Sequence, residues 1–148
     1  MKRIFALIFF LIALPAFAGE TIPATIQTKT APVNLMLEVA ATPDARDLGL
    51  AKRKSIGADD GMLFVFPVAD DYEFWMKDTY MSLDIIFIDP NHKIVFIAPK
   101  TVPNSLTPIG ARQKIQAVIE LDAGRAARDG IAIGDKVTYE IPKTIRVY

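Results

Sequence analysis

The chain of 148 residues contains no cysteine and one histidine, His92. Without a thiol, disulfides and cysteine nucleophiles are excluded, so stability must come from burial. A lone histidine would leave a zinc site dependent on carboxylates, a composition that zinc sites rarely have. The acidic residues that could serve calcium lack the EF-hand spacing: Asp59, Asp60, Asp70 and Asp71. We therefore expect no metal and no other cofactor.

Motifs of catalysis and of nucleic-acid binding are also missing. The eight glycines form no phosphate-binding loop, and there is no Gly-x-Ser-x-Gly elbow. Lys plus Arg and Asp plus Glu both number 17, which gives a formal net charge of zero. Since a nucleic-acid-binding domain normally carries a basic patch or a recognised motif, we expect no nucleic-acid partner.

The first residues have the pattern of an export signal. Two basic residues precede an apolar core, Ile4 to Leu14, and a small-x-small cleavage site, Ala16 to Ala18. The apolar core is about half the ~20 residues that span a bilayer, which disfavours an uncleaved anchor. We expect cleavage between Ala18 and Gly19 and a periplasmic or secreted protein, with no later membrane span.

Length and pattern predict one domain. Residues 1–18 form the signal peptide, residues 19–32 a linker or edge strand, and residues 33–148 a single domain of ordinary size. We expect a monomer.

Strands outnumber helices in the hydrophobic pattern. The predicted strands are Asn34 to Ala40, Met62 to Phe66, Tyr72 to Thr79, Leu83 to Ile88, Ile94 to Ala98, Gln113 to Leu121 and Lys136 to Ile141. Two short helices are expected, one capped by Thr42 and running toward Ala51, the other capped by Asp122 and running through Arg128. A turn at Asp89–His92 predicts a hairpin, and Lys100 to Gly110 is a proline-rich loop. The pattern predicts a mainly β fold, at the margin of α+β, as an antiparallel sandwich or open barrel.

The segment around Trp75 mixes polar residues into a core-like sequence. In an extended strand, Trp75, Lys77 and Thr79 project to one face and Asp78 to the other. An aromatic plane, an ammonium and a hydroxyl together suit an anionic or sugar-like ligand. The alternative is a core tryptophan beside a solvated lysine that protects a sheet edge.

Two carboxyl groups, those of Asp84 and Glu120, lie inside apolar strands. A buried carboxylate must be paired or protonated, and the candidate partners of Asp84 are Lys77, Arg46 and Arg53. The two arginines would share a helix face if the first helix extends that far. A structural ion pair and a binding site explain the pattern equally well. Asp84 and Glu120 could also act as an acid and base.

Several segments together are similar to the family called domain of unknown function 192. The segments that carry the resemblance are Gly61 to Asp89, Arg46 to Leu50 with Arg53, Ile119 to Gly124, and Gly134 to Val137. Ala51 and Ser82 depart from the family pattern, which usually has Met and often Pro there. The resemblance implies a compact, mainly β domain with one or two short helices, and it carries no activity with it.

These observations lead to three hypotheses for function. The first is an exported, non-catalytic binding or accessory domain that holds a small polar ligand or peptide near Trp75 and Lys77. The second is a hydrolase or lyase that uses Asp84 and Glu120. The third is an envelope module whose sheet edge pairs with a protein partner. The residues expected to bind ligand are Arg46, Arg53, Trp75, Lys77, Asp78, Thr79, Asp84 and Glu120.

Overall fold

A seven-stranded mixed sheet organises the protein in a computed structural model that describes residues 19–57 and 60–148. The expected export signal lies outside the described residues. The strands are β1 (Thr21–Gln27), β2 (Pro32–Ala40), β3 (Asp60–Asp70), β4 (Glu73–Phe74), β5 (Leu83–Ile88), β6 (Ile94–Ala98), β7 (Ile109–Gly110), β8 (Ile115–Asp122) and β9 (Lys136–Tyr139). The helices are α1 (Pro43–Leu48) and α2 (Arg125–Arg128).

The large sheet has the order β6-β5-β8-β3-β2-β1-β9, while β4 and β7 pair separately. Its pairs are antiparallel except β2 with β3. The end strands approach each other, because Ile94 N–H donates to Asp135 O and Val137 N–H to His92 O, both at 2.9 Å. The sheet therefore curves into a half-barrel. The prediction of a mainly β fold, an antiparallel sandwich or open barrel with one or two short helices, is confirmed, with the sheet found as a mixed half-barrel.

Side-chain alternation divides the core between the two faces of this sheet. One buried cluster draws on all seven strands, with members such as Leu37, Ile86 and Ile119, and so lies on the concave face. The other includes Phe87 and Val118 and packs beneath α1 and the segment that contains β4. Every residue of β5 is buried, so a polar side chain on this strand needs a partner.

Local chemistry explains the elements that the sequence predicts best. In β2, Leu35 and Leu37 are buried while Met36 is exposed, as period-2 alternation requires. The hairpin of β5 and β6 is confirmed, and the Asp89 carboxylate accepts N–H groups of Asn91 and Lys93 at 2.9 and 2.8 Å. Asx capping of this kind stabilises a turn within the hairpin.

Three of the differences between the predicted and the observed elements affect how the elements pair or are capped. Residues 19–32 hold an inner strand, β1, which pairs with β2 and β9 and is neither a linker nor an edge. Helix α1 starts after the Thr42 cap as predicted but ends at Leu48, since Gly49 has a φ of 49°. Helix α2 is preceded by Gly124 at its N-cap, not by Asp122. No helix in the described ranges is long and apolar enough to cross a membrane.

Asp84 is a fully buried anchor for two surface segments. Its exposed fraction is 0%, and its carboxylate accepts backbone N–H groups of Lys100, Gly124 and Ala126 at 2.8, 3.0 and 2.9 Å. The prediction that Lys77, Arg46 or Arg53 pairs with Asp84 is therefore wrong. Backbone donors fix the proline-rich loop and the start of α2 against β5 instead.

We predict that Asp84→Asn lowers the free energy of unfolding by about 2–4 kcal/mol. An amide has one acceptor atom, so its N–H₂ group would face a backbone N–H donor and leave it unpaired. Urea unfolding measures this change. Asp122→Asn, at an exposed carboxylate on the neighbouring strand β8, is the control and should change stability little. Equal stabilities of the two variants would contradict the anchoring role.

Candidate ligand-binding cleft

A cleft of about 300 Å³ opens between α1 with the residues that follow it and the segment that contains β4. Its aromatic wall is formed by Phe64, Phe66, Tyr72, Phe74 and Trp75. Its polar side chains are Arg46, Asp47, Glu73, Lys77, Thr79 and Glu120. A cleft of this size, with an aromatic wall and several polar side chains, suits a small polar ligand.

The aromatic wall is a packed cluster of rings. Phe64 and Phe74 meet edge-to-face with ring centroids 5.0 Å apart, and Phe66 stacks on Tyr72 at 3.7 Å. Sequence reasoning assigned Phe64 and Phe66 only to the core of β3. Their ring faces become part of a cleft because the segment after β3 folds back over them, and no local sequence pattern reports that return.

The segment after Phe74 is a turn, so the prediction of one strand over Tyr72–Thr79 is wrong. Met76 is buried and its N–H donates to Ser105 O at 2.9 Å. Thr79 N–H donates to Met76 O at 3.1 Å, and Asp78 has a φ of 55°. These long-range and turn hydrogen bonds replace the ladder of a strand.

The turn nevertheless brings the three predicted side chains to the same cleft. Trp75 is 60% exposed and Lys77 is exposed, whereas Thr79 is buried and its hydroxyl donates to Lys77 O at 3.3 Å. Asp78 is exposed and does not line the cleft. Its backbone carbonyl instead accepts the N–H of Lys52 at 2.7 Å, which ties the turn to the chain beyond α1.

Arg46 lines the cleft, but its guanidinium already serves the fold. Nη1 donates to Ala41 O and Val65 O at 2.8 and 3.0 Å, and Nη2 donates to Tyr148 O at 2.7 Å. The guanidinium carbon also lies 5.1 Å from the centre of the Phe66 ring. Arg46 therefore fastens α1 to the sheet and closes one face of the aromatic wall.

Arg53 lies outside α1 and outside the cleft, in a bidentate ion pair with Glu38. Both Nη–Oε distances are 2.8 Å. Burial raises the pKa of Glu38, but hydrogen bonds from Arg53 and from the Gly19 N–H outweigh it and leave the pKa below its ordinary value. Arg53, a candidate partner of Asp84, thus pairs with Glu38 of β2 instead.

Glu120 is the buried carboxyl group of the cleft. It lies on β8 between Met62 of β3 and Ile85 of β5, with an exposed fraction of 4%. Within the described residues its Oε2 atom has no hydrogen-bond partner. Burial raises the pKa of Glu120 from 4.5 to about 8, and the charge of Arg53 offsets only part of this rise. Glu120 is therefore largely protonated at neutral pH.

Asp84 and Glu120 do not form the acid–base pair that the sequence suggested. Asp84 lies opposite Leu121 in the register of β5 and β8, so it shares a face with Leu121. Glu120, the preceding residue, projects to the other face. Only Glu120 lines the cleft. In the described part of the chain, no three histidine or acidic side chains come together to hold a metal.

Comparison with known proteins adds a family and two structural relatives. The family model DUF192, described as Uncharacterized ACR, matches residues 24–139. A structure from Sinorhizobium meliloti 1021, described as a "putative transcription regulator", is 32% identical with a TM-score of 0.81 and covers 84% of this chain and 97% of its own. A protein of unknown function from Novosphingobium aromaticivorans DSM 12444 is 34% identical with a TM-score of 0.81, covering 84% and 89%. No curated protein matches the chain.

We predict that Glu120 makes stability fall as pH rises. Because its folded pKa of about 8 exceeds the ordinary 4.5, the stability it contributes is complete below the lower value and lost as pH rises through the higher one. Relative to Glu120→Gln, the free energy of unfolding should fall by up to ~1.4 kcal/mol per pH unit across this window. Urea unfolding of both proteins over the window measures the slope. A difference between them that does not vary with pH would contradict a buried, protonated Glu120.

Proposed function

This chain belongs to the DUF192 family, and we propose that it is a non-catalytic binding domain that holds a small polar ligand in the cleft. The observation that carries this proposal is the unpartnered Oε2 of Glu120, buried at a cleft with an aromatic wall. The titles of the two structural relatives name no ligand and no reaction. The residues of the cleft must therefore carry the argument.

An unpaired buried polar atom costs roughly 1–3 kcal/mol, and a ligand group that hydrogen-bonds to it removes that penalty. The aromatic wall offers apolar area for the rest of the ligand, and the exposed Lys77 offers a charge at the rim. Ligand binding would satisfy this unpaired atom, and the cleft is already formed without a ligand. Both features favour recognition of a small molecule. Thr79, Trp75 and Lys77 are the remaining proposed contacts.

Binding is better supported than the two other hypotheses. The hydrolase or lyase hypothesis named Asp84 and Glu120 as its acid and base, and Asp84 is held on the face opposite to the cleft by three backbone N–H groups. Pairing with a protein partner needs a free sheet edge, and the edges of the large sheet hydrogen-bond to each other where β6 and β9 begin, near Lys93 and Lys136. The balanced charge also gives no support to nucleic-acid binding.

We predict that a thermal-shift panel of sugars, organic acids, amines and amides contains a ligand of this cleft. At ~100 times its dissociation constant such a ligand adds about 2.7 kcal/mol and raises the melting temperature by several degrees. Trp75→Ala should reduce the shift. Tyr80→Ala, at another exposed aromatic residue that does not line the cleft, should leave it intact. Equal loss in both variants, or no hit, would count against the cleft as a binding site.

We also propose that the protein binds its ligand outside the cytoplasm, because the first 18 residues have the pattern of a signal peptide. Mass spectrometry of protein from the periplasmic fraction should find an N-terminus at Gly19. Ala18→Arg, which places a large charged residue at the cleavage site, should leave the precursor uncut. Recovery of the intact precursor from the cytoplasm for both proteins would overturn this localisation.

A further inference from the structure

Glu120 has the chemistry to select the charge of the ligand. Its carboxyl group is 4% exposed and lines the cleft, and Oε2 has no partner within the described residues. Both nearby arginines are engaged elsewhere, Arg53 by Glu38 and Arg46 by three backbone carbonyls. The protein thus provides a buried carboxyl group without a positively charged partner.

The other charges of the cleft balance each other. Arg46 and Lys77 face Asp47 and Glu73, so two basic groups meet two acidic groups. Ionised Glu120 would give the cleft a net charge of −1, and protonated Glu120 a net charge of zero. A bound anion would meet either a repelling carboxylate or a neutral acid. A bound cation would find in Glu120 a counter-ion that no protein group has taken.

The aromatic wall also favours a cation on one exposed ring. Tyr72 stacks on Phe66, and the Arg46 guanidinium lies over the Phe66 ring as well. Trp75, in contrast, is 60% exposed and forms part of the same wall. An indole face is the best aromatic partner for a cation.

We propose that the cleft binds a small organic cation whose ammonium N–H donates to Glu120 and whose apolar part contacts the aromatic wall. This rests on the proposed function and names the chemical class of its ligand. The ammonium replaces the proton of Glu120, so the carboxyl group is ionised in the complex and one proton leaves to solvent. The charge-assisted hydrogen bond forms where water is largely excluded, which strengthens it.

The groups that surround Glu120 set the conditions for this exchange. On its own face, β3 and β5 present the apolar Met62 and Ile85. The charged or titratable groups are Arg46 and Asp47 of α1, Arg53 with Glu38, Tyr72 before β4, Glu73 of β4, Lys77 of the turn, and Asp122 two residues along β8. Affinity for the cation should therefore rise with pH as Glu120 loses its proton, and the release of that proton should be measurable.

The test uses three probes that share one ring and differ in charge: benzylammonium, benzyl alcohol and benzoate. Calorimetry on protein purified from cells that express the full chain should show benzylammonium binding at least ~10-fold more tightly than the others at neutral pH, or ~1.4 kcal/mol. Repeating the titration in buffers of different ionisation enthalpy should reveal about one proton released per ligand, the stoichiometry of a single carboxyl group.

Two variants at carboxyl groups of β8 provide the matched controls. Glu120→Gln should lose the preference for benzylammonium and the proton release, while unfolding curves check that it is folded. Asp122→Asn, at an exposed carboxyl group on the same strand, should retain both. If benzyl alcohol or benzoate binds as tightly as benzylammonium in a Trp75-dependent way, the proposal of a cationic ligand is overturned and the proposed binding function stands. If neither these probes nor the broader panel binds at Trp75, both proposals fall.

Discussion

Burial of the central strands on both faces is the constraint on which the rest of this structure depends. In β5 every side chain is buried, and in β8 Ala117 to Leu121 are buried as well. A carboxyl group placed there must find hydrogen-bond donors or keep its proton. Asp84 and Glu120 take these two different courses on adjacent strands. One carboxylate is satisfied by three backbone N–H groups, and the other retains an oxygen atom without a partner.

The contrast between these residues distinguishes the structural role of Asp84 from the proposed binding role of Glu120. Asp84 connects the proline-rich loop and α2 to the sheet. In that loop, the backbone carbonyl of Ser105 accepts the N–H of Met76. The turn that carries Trp75 and Lys77 is therefore held by a chain of contacts that begins at Asp84. Glu120 contributes nothing comparable to the framework, because its unpaired oxygen atom costs stability. A residue that weakens the fold while lining a cleft is typical of a functional site.

The sequence predicted the elements whose causes are local. Alternation in β2, the Asp89 turn and the Thr42 cap each depend on residues within a few positions, and each was found as expected. It also assigned eight residues to one binding site; Arg53, Asp78 and Asp84 do not line the cleft, whereas the other five do: Arg46, Trp75, Lys77, Thr79 and Glu120. The partners of Asp84 were missed because backbone N–H groups exist at nearly every position and leave no mark in a sequence. The turn after Phe74 was missed because its donors and acceptors come from distant segments.

The position of Glu120 between Met62 and Ile85 also underlies the proposal that this residue serves recognition. The acid–base pair that the sequence suggested needs both of its carboxyl groups in one cleft, and Asp84 points away from it. A buried acid beside an aromatic wall can instead give up its proton to solvent and accept a ligand's N–H group, with no bond of the ligand broken. Packing that raises its pKa to about 8 places this exchange near neutral pH. On the proposed function, the same burial that destabilises the ionised side chain makes occupancy of the cleft sensitive to the charge of the ligand.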